Sequence, residues 1–147
     1  MGSELIRILL VEDNAGDVRL TREAFKDAKV HLDLHVVNDG VEAMDFLHRR
    51  EPYAGCPRPD LILLDLNLPR KDGREVLMES KTDPLLKTIP VGILTTSGSQ
   101  EDIERSYELY ANCYISKPVE LEGFLSVVRS IDDFWLSAVK LPREKQR

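Results

Sequence analysis

Cysteine is scarce in this chain. Only Cys56 and Cys113 occur among 147 residues. They lie far apart, outside any Cys-x-x-Cys spacing, so both read as reduced structural thiols rather than as a disulfide. Histidine is nearly as rare: His31, His35 and His48 form no metal-ligand pattern and read as ordinary surface or boundary residues. There is no excess of basic charge. Lys and Arg number 20 against 26 Asp and Glu, a net charge of −6 that argues against nucleic acid as the main partner. The small basic run Arg143-Glu144-Lys145-Gln146-Arg147 reads as a solvated end. No apolar run approaches the length of a membrane span. The start, Met1-Gly2-Ser3-Glu4, lacks the basic and long apolar segments of a signal peptide, and Ile6 spoils a myristoylation signal. These absences predict a cytoplasmic protein with no membrane contact. Internal repeats and low-complexity stretches are missing too. What remains is a chain of one-domain length, 42% hydrophobic, able to bury a sizeable core.

Strand and helix signals alternate from end to end, which predicts a doubly wound parallel sheet. Residues 6–11 are apolar on both faces, as a central parallel strand should be. Asn14 can cap a following helix in which Val18, Thr21, Phe25 and Ala28 share one face. Residues 31–37 form a second strand. Asp39 can cap a helix carrying Val41, Ala43, Met44, Phe46 and Leu47. Three prolines and a glycine make residues 51–59 a loop. A third strand spans 60–65, a loop 67–73 and a helix 74–81. Strand four follows Pro90 and leads into the polar loop 95–100 and a helix over 101–109. Residues 113–116 make a short fifth strand, and a last helix runs from about 119 to 136. Five strands alternating with five helices is a flavodoxin-like (βα)5 count, for which the strand order is 2-1-3-4-5.

In such a sheet, four apolar runs end in four different polar groups at one edge. Residues 6–11 run into Glu12-Asp13, 61–64 into Asp65, 91–94 into Thr95, and 114–116 into Lys117-Pro118. The carboxyl edge of a parallel sheet is where open α/β folds bind ligands. Three carboxylates gathered there repel one another unless a cation joins them, and Mg²⁺ with oxygen ligands answers that need. Each residue has a plainer reading. Glu12-Asp13 could cap a helix, Thr95 suits any loop, and Lys117 could simply pair with an acid, its bond to Pro118 being a candidate for cis geometry. Asp65 is harder to dismiss, because it follows a buried run and needs a partner there.

At this point the chain resembles the receiver domain of two-component response regulators. The matching segments are Leu10-Val11-Glu12-Asp13-Asn14, Leu63-Leu64-Asp65-Leu66-Asn67-Leu68-Pro69, Asp72-Gly73, Pro90-Val91, Leu94-Thr95-Thr96 and Tyr114-Ile115-Ser116-Lys117-Pro118. The resemblance covers about residues 6–130, leaving 1–5 as an N-terminal tail and 131–147 as an extension of the last helix with a C-terminal tail. It implies that Asp65 accepts a phosphoryl group from a sensor histidine kinase. Asp13, Asp65 and the backbone carbonyl of Asn67 would bind Mg²⁺, and Glu12 would hold the ion directly or through water. Lys117 and the Thr95 hydroxyl would each pair with a phosphoryl oxygen, and Tyr114 would turn into the space that the Thr95 loop vacates. The protein would be no enzyme beyond its own phosphorylation and dephosphorylation. The proline loop, Tyr110-Ala111-Asn112-Cys113-Tyr114, and the ending Asp133-Phe134-Trp135-Leu136 with Leu141-Pro142 resemble one subgroup, the small stand-alone regulators paired with bacterial and cyanobacterial phytochromes.

The last helix adds a separate expectation. Leu121, Phe124, Leu125, Val128, Ile131 and Trp135 make one apolar stripe, while Val127, Phe134 and Leu136 lie off it. One stripe docks a helix and a second set suggests a partner face. A homodimer through Val127, Ile131, Phe134, Trp135 and Leu136 is expected, helped by 138–141, with Phe134 and Trp135 folding back onto their own domain as the alternative. No room is foreseen beyond the helix for an output domain, so the downstream partner would be another protein. Three competing functions are weaker. A haloacid-dehalogenase-type phosphatase needs an acid two residues after its nucleophile, where this chain has Asn67. A flavodoxin-like FMN binder needs its phosphate loop after the first strand, which here is acidic. A phosphorylation-independent interaction module would have no use for the intact residue set.

Overall fold

The computed structural model describes residues 5–26, 31–117, 120–136 and 139–142. Five parallel strands, β1 (Leu5–Val11), β2 (His31–Val37), β3 (Leu61–Leu64), β4 (Val91–Thr95) and β5 (Cys113–Ser116), form one sheet in the order β2-β1-β3-β4-β5. The helices between them are α1 (Ala15–Phe25), α2 (Gly40–Leu47), α3 (Gly73–Thr82), α4 (Gln100–Glu108) and α5 (Leu121–Ile131). This is the doubly wound, flavodoxin-like arrangement expected. None of the helices among the described residues is long and apolar enough to cross a membrane. Cys56 and Cys113 are both free thiols.

Side-chain alternation along the strands splits the core into two layers. Leu9, Val11, Ile62, Leu64, Val91 and Ile93 face α2 and α3, meeting Ala43, Met44, Phe46, Leu47, Val76 and Leu77. Ile6, Ile8, Leu10, Leu61 and Leu63 face the other way, toward Phe25 of α1 and Val128 and Ile131 of α5. The central strands β3 and β4 are buried throughout, whereas β2 and β5, at the sheet edges, are mostly half-exposed. Burial on both faces is why the central strands read as unbroken apolar runs.

The caps foreseen at Asn14 and Asp39 are made. Asn14 Oδ1 accepts from the Asp17 N–H at 2.9 Å and Asp39 Oδ1 from the Glu42 N–H at 2.8 Å. Asp60, read as the first residue of β3, lies just outside it. Its carboxylate instead accepts the Arg7 N–H at 2.9 Å, and its own N–H donates to the Arg7 carbonyl at 2.7 Å, pinning the start of the strand to β1. Ala28 of the first helix pattern, Pro118 with its peptide bond, and Ala138 lie outside the described residues, as do the side chains of Leu121, Phe124 and Leu136.

The last helix departs from expectation. It is α-helical only to Ile131 and continues as a π-helical turn over Asp132–Leu136. Ile131 is only 2% exposed and packs in the core beneath the sheet, so its assignment to a partner face is corrected: the stripe it belongs to is the one that docks the helix. Val127 and Trp135 are half-buried against the same layer, with the Trp135 indole near enough to the Cys113 thiol to offset part of the rise in pKa that burial causes there. Phe134, edge-on to Trp135 at 5.9 Å, stays 59% exposed.

Gly73 shows how tightly the site's loops are held. A Cβ there would stand 2.2 Å from the Asp65 carbonyl oxygen and 2.7 Å from Leu66 Cα, backbone atoms that cannot swing aside. Gly73→Ala is expected to destabilise the protein by about 1–3 kcal/mol, as overpacking does, read as a lower urea midpoint at unchanged slope.

Candidate functional site

Glu12, Asp65 and Lys117 each sit one residue past the end of a strand, and the sheet's own hydrogen bonds continue far enough to fix them. The Glu12 N–H donates to the Val37 carbonyl at 3.0 Å, Asp65 N–H to Val11 at 3.1 Å and Lys117 N–H to Thr95 at 2.6 Å. Three side chains from β1, β3 and β5 are thereby brought to one crevice. Glu12, Asp65, Thr95 and Lys117 are all buried, while Asp13 is exposed at the rim.

Lys117 is the hub. Its ammonium donates to Glu12 Oε1, to Asp17 Oδ2 at 3.0 Å and to Asp65 Oδ2 at 3.2 Å. An ammonium has three N–H bonds, and all three are used. Burial is the strongest influence on Glu12 and raises its pKa to about 7, against the hydrogen bond and charge of Lys117 that pull it down. Burial also works against the charged Lys117, but the hydrogen bond and charge of Glu12, with Asp17 and Asp65, outweigh it and hold the ammonium's pKa above its ordinary value. Lys117 is therefore held charged, and a cation beside Glu12 would favour its carboxylate.

Glu12, Asp13 and Asp65 each offer a carboxylate oxygen within 4.8 Å of the others. Hard oxygen donors at the open side of the crevice, with one acid exposed and two buried, fit a Mg²⁺-sized ion that keeps part of its water shell. Asn67 is exposed just beyond, and its N–H donates to Asp65 Oδ1 at 3.3 Å, tying the loop to the carboxylate. The Asn14 N–H similarly reaches Glu12 Oε2 at 3.2 Å.

Thr95 is fully buried, and its hydroxyl oxygen lies 3.5 Å from the Ser97 N–H. Tyr114 is folded inward. Its ring packs on the α2–α3 side of the core, and its hydroxyl donates to the Ser97 carbonyl at 2.9 Å. Ser97 is thus a junction that the sequence reading passed over. Its own hydroxyl donates to Asp102 at 2.6 Å, and Asp102 accepts from Arg74 at 2.7 Å. Arg74 also bonds Asp72, the cap of α3. A polar chain so links the loop after Asp65 with the loop after Thr95. Asp17 was missed as well. The available signal was its spacing, one helical turn beyond Asp13, which turns it back toward the crevice.

A family model described as the response regulator receiver domain matches residues 8–129. The chain is 50% identical over 135 residues to response regulator Rcp1 of Synechocystis sp., covering 92% of each protein. The Mn²⁺-bound crystal structure of Rcp1 is similar with a TM-score of 0.91 at 49% identity, covering 94% of this chain and 99% of that one. The phosphorylated cyanobacterial phytochrome response regulator RcpA is similar with a TM-score of 0.92 at 51% identity, covering 95% and 100%.

The crowding of acids around one ammonium makes a stability prediction. Among the described residues Lys117 is the cation bonded to Glu12, Asp17 and Asp65 together. Lys117→Met leaves buried carboxylates facing each other and is expected to cost about 3–5 kcal/mol, the penalty for breaking a buried pair. Urea unfolding in EDTA should show the loss, and excess Mg²⁺ should recover part of it.

Proposed function

This chain belongs to the response regulator receiver domain family, and we propose that it takes a phosphoryl group on Asp65 from a sensor histidine kinase and so switches a protein-interaction face. The observation that carries this reading is the meeting of Asp65 with Lys117 on one side and with the Glu12 and Asp13 oxygens on the other. A Asp65 carboxylate oxygen attacks phosphorus, the new O–P bond forms as the N–P bond of the donor phosphohistidine breaks, and the imidazole leaves to take up a proton. Bound Mg²⁺, held by Asp13, Asp65 and the Asn67 carbonyl with Glu12 directly or through water, would offset the charge gathering on the phosphoryl oxygens. Lys117 neutralises one of those oxygens, and Thr95 donates its hydroxyl to another. Thr95 then gives up the Ser97 N–H, and Ser97 carries the change to Tyr114 and Asp102. A local charge change thus biases a loop with two arrangements.

Residues 6–130 are the switching unit on this reading and 131–147 the extension. The partner kinase is of the phytochrome type, supported by the likeness to a cyanobacterial phytochrome response regulator, and the setting is the cytoplasm. The protein turns over no separate substrate. Its output is contact with another protein, without nucleic acid or membrane.

Intact mass spectrometry after incubation with Mg²⁺ and a small-molecule phosphodonor should show one added phosphoryl group on the parent. None should appear on Asp65→Asn or after chelation. An unlabelled parent, under conditions that label a known receiver, would favour an interaction module that works without phosphorylation.

A homodimer through the last helix is part of the proposal, now centred on Phe134 with Val127 and Trp135 at its border and Ile131 removed to the core. Light scattering on the eluting protein should give a dimer at micromolar concentration and a monomer for Phe134→Asp. A monomeric parent, phosphorylated or not, would end this part of the proposal.

A further inference from the structure

We propose that Asp17 is a positioning residue that holds Lys117 back in the unphosphorylated protein and yields it to the incoming phosphoryl group. The inference rests on the reading of Asp65 as phosphoacceptor and adds a residue which that reading did not include.

The geometry is specific. Asp17 lies in the first turn of α1, and its backbone is fixed at both ends: its N–H donates to Asn14 Oδ1 at 2.9 Å, and its carbonyl accepts from the Thr21 hydroxyl at 2.7 Å. From that anchored position its carboxylate reaches across the crevice to Lys117 at 3.0 Å, a shorter contact than the 3.2 Å between Lys117 and Asp65. With all three donors of the ammonium in use, Lys117 can meet a phosphoryl oxygen only by giving one contact up. The phosphorus attaches beyond the Asp65 oxygens, so the ammonium must lean outward to reach it.

The three carboxylates differ in what release would cost. The side chain of Glu12 is 3% exposed, and that of Asp65 10%, whereas Asp17 is 26% exposed. Abandoning Glu12 leaves a buried carboxylate without its cation, which is expensive. Asp65 loses its charge on esterification and its contact passes to the phosphoryl group. Asp17 can turn to water, so its bond is the one to exchange. Until then it acts twice against phosphoryl uptake, by restraining the ammonium and by adding negative charge near an anionic donor.

Removal of the Asp17 charge should therefore speed phosphorylation, a direction that simple damage to the site does not produce. Asp17→Asn and Asp17→Ser should take up phosphoryl from a small-molecule donor about three- to tenfold faster than the parent, the effect of one partly exposed charged hydrogen bond. Asp17→Glu should return the rate toward the parent's. Rates are read by intact mass, with Mg²⁺ affinity by calorimetry and melting temperature measured on the same samples. A Mg²⁺ Kd within about threefold of the parent's agrees with a residue that touches the lysine and not the ion. Unchanged or slower uptake in both charge-removing variants overturns the proposal. So does a Mg²⁺ affinity weakened more than about tenfold, the mark of a residue that serves the metal site itself, as a ligand or as support for one. A parent that takes up no phosphoryl group overturns the phosphoacceptor reading itself, and this inference with it, before any variant is considered.

Discussion

One buried ammonium holds the functional edge of this fold together. Lys117 reaches from the end of β5 to Glu12 at the end of β1, Asp65 at the end of β3 and Asp17 at the start of α1. Without it, acids delivered by separate elements would meet in a crevice with nothing to balance them. A charge removed from water needs such compensation, and a cluster of like charges needs it more. The sheet makes the meeting unavoidable. Its ladders run one residue past each strand, so Glu12, Asp65 and Lys117 are located by backbone bonds to Val37, Val11 and Thr95 before their side chains make any contact.

The same crowding that costs stability makes the site responsive. A group that satisfies Lys117 better, or that neutralises Asp65, changes the balance on every partner at once. The nearby loops are built to register such a change. Thr95 is buried beneath Ser97, and Ser97 is held from three directions by Tyr114, Ser116 and Asp102. Arg74 closes the chain back to Asp72, the cap of α3, whose first residue Gly73 lies against the Asp65 carbonyl. Movement at Thr95 therefore reaches β5 through Tyr114 and α3 through Arg74. The apolar layers on either side of the sheet give these loops a rigid base, since close-packed cores shift between discrete arrangements rather than deform smoothly.

Much of this was legible from residue order, for a physical reason. In a parallel sheet every strand points the same way, so a polar residue ending an apolar run must lie at the common edge. That rule alone placed Glu12, Asp65, Thr95 and Lys117 together. Caps were legible because Asn14 and Asp39 stand directly before helical periodicity. Asp17 was not, because an acid in the first turn of a helix is ordinary and needs no lysine to explain it. Ser97 and Asp102 were hidden for a similar reason, in a loop and helix start where polar residues are common.

The end of the chain shows a different limit. Apolar periodicity in the last helix marked a docking stripe and a second set, but Ile131 and Trp135, in the stripe, were also assigned to the partner face. Packing decides between the two. Ile131 joins Val128 beneath the sheet, and Trp135 follows it toward Cys113, while Phe134 is left outward on the π-helical turn. Two adjacent aromatics thus have opposite fates, one half-buried against the core and one offered to solvent. A tryptophan that closes its own domain also fixes the direction in which its neighbour points. Trp135 is held against the core layer that contains Val128 and Ile131, so the position of Phe134 depends on that layer. The position of the most exposed aromatic of the C-terminal segment is therefore set by the packing of its neighbour.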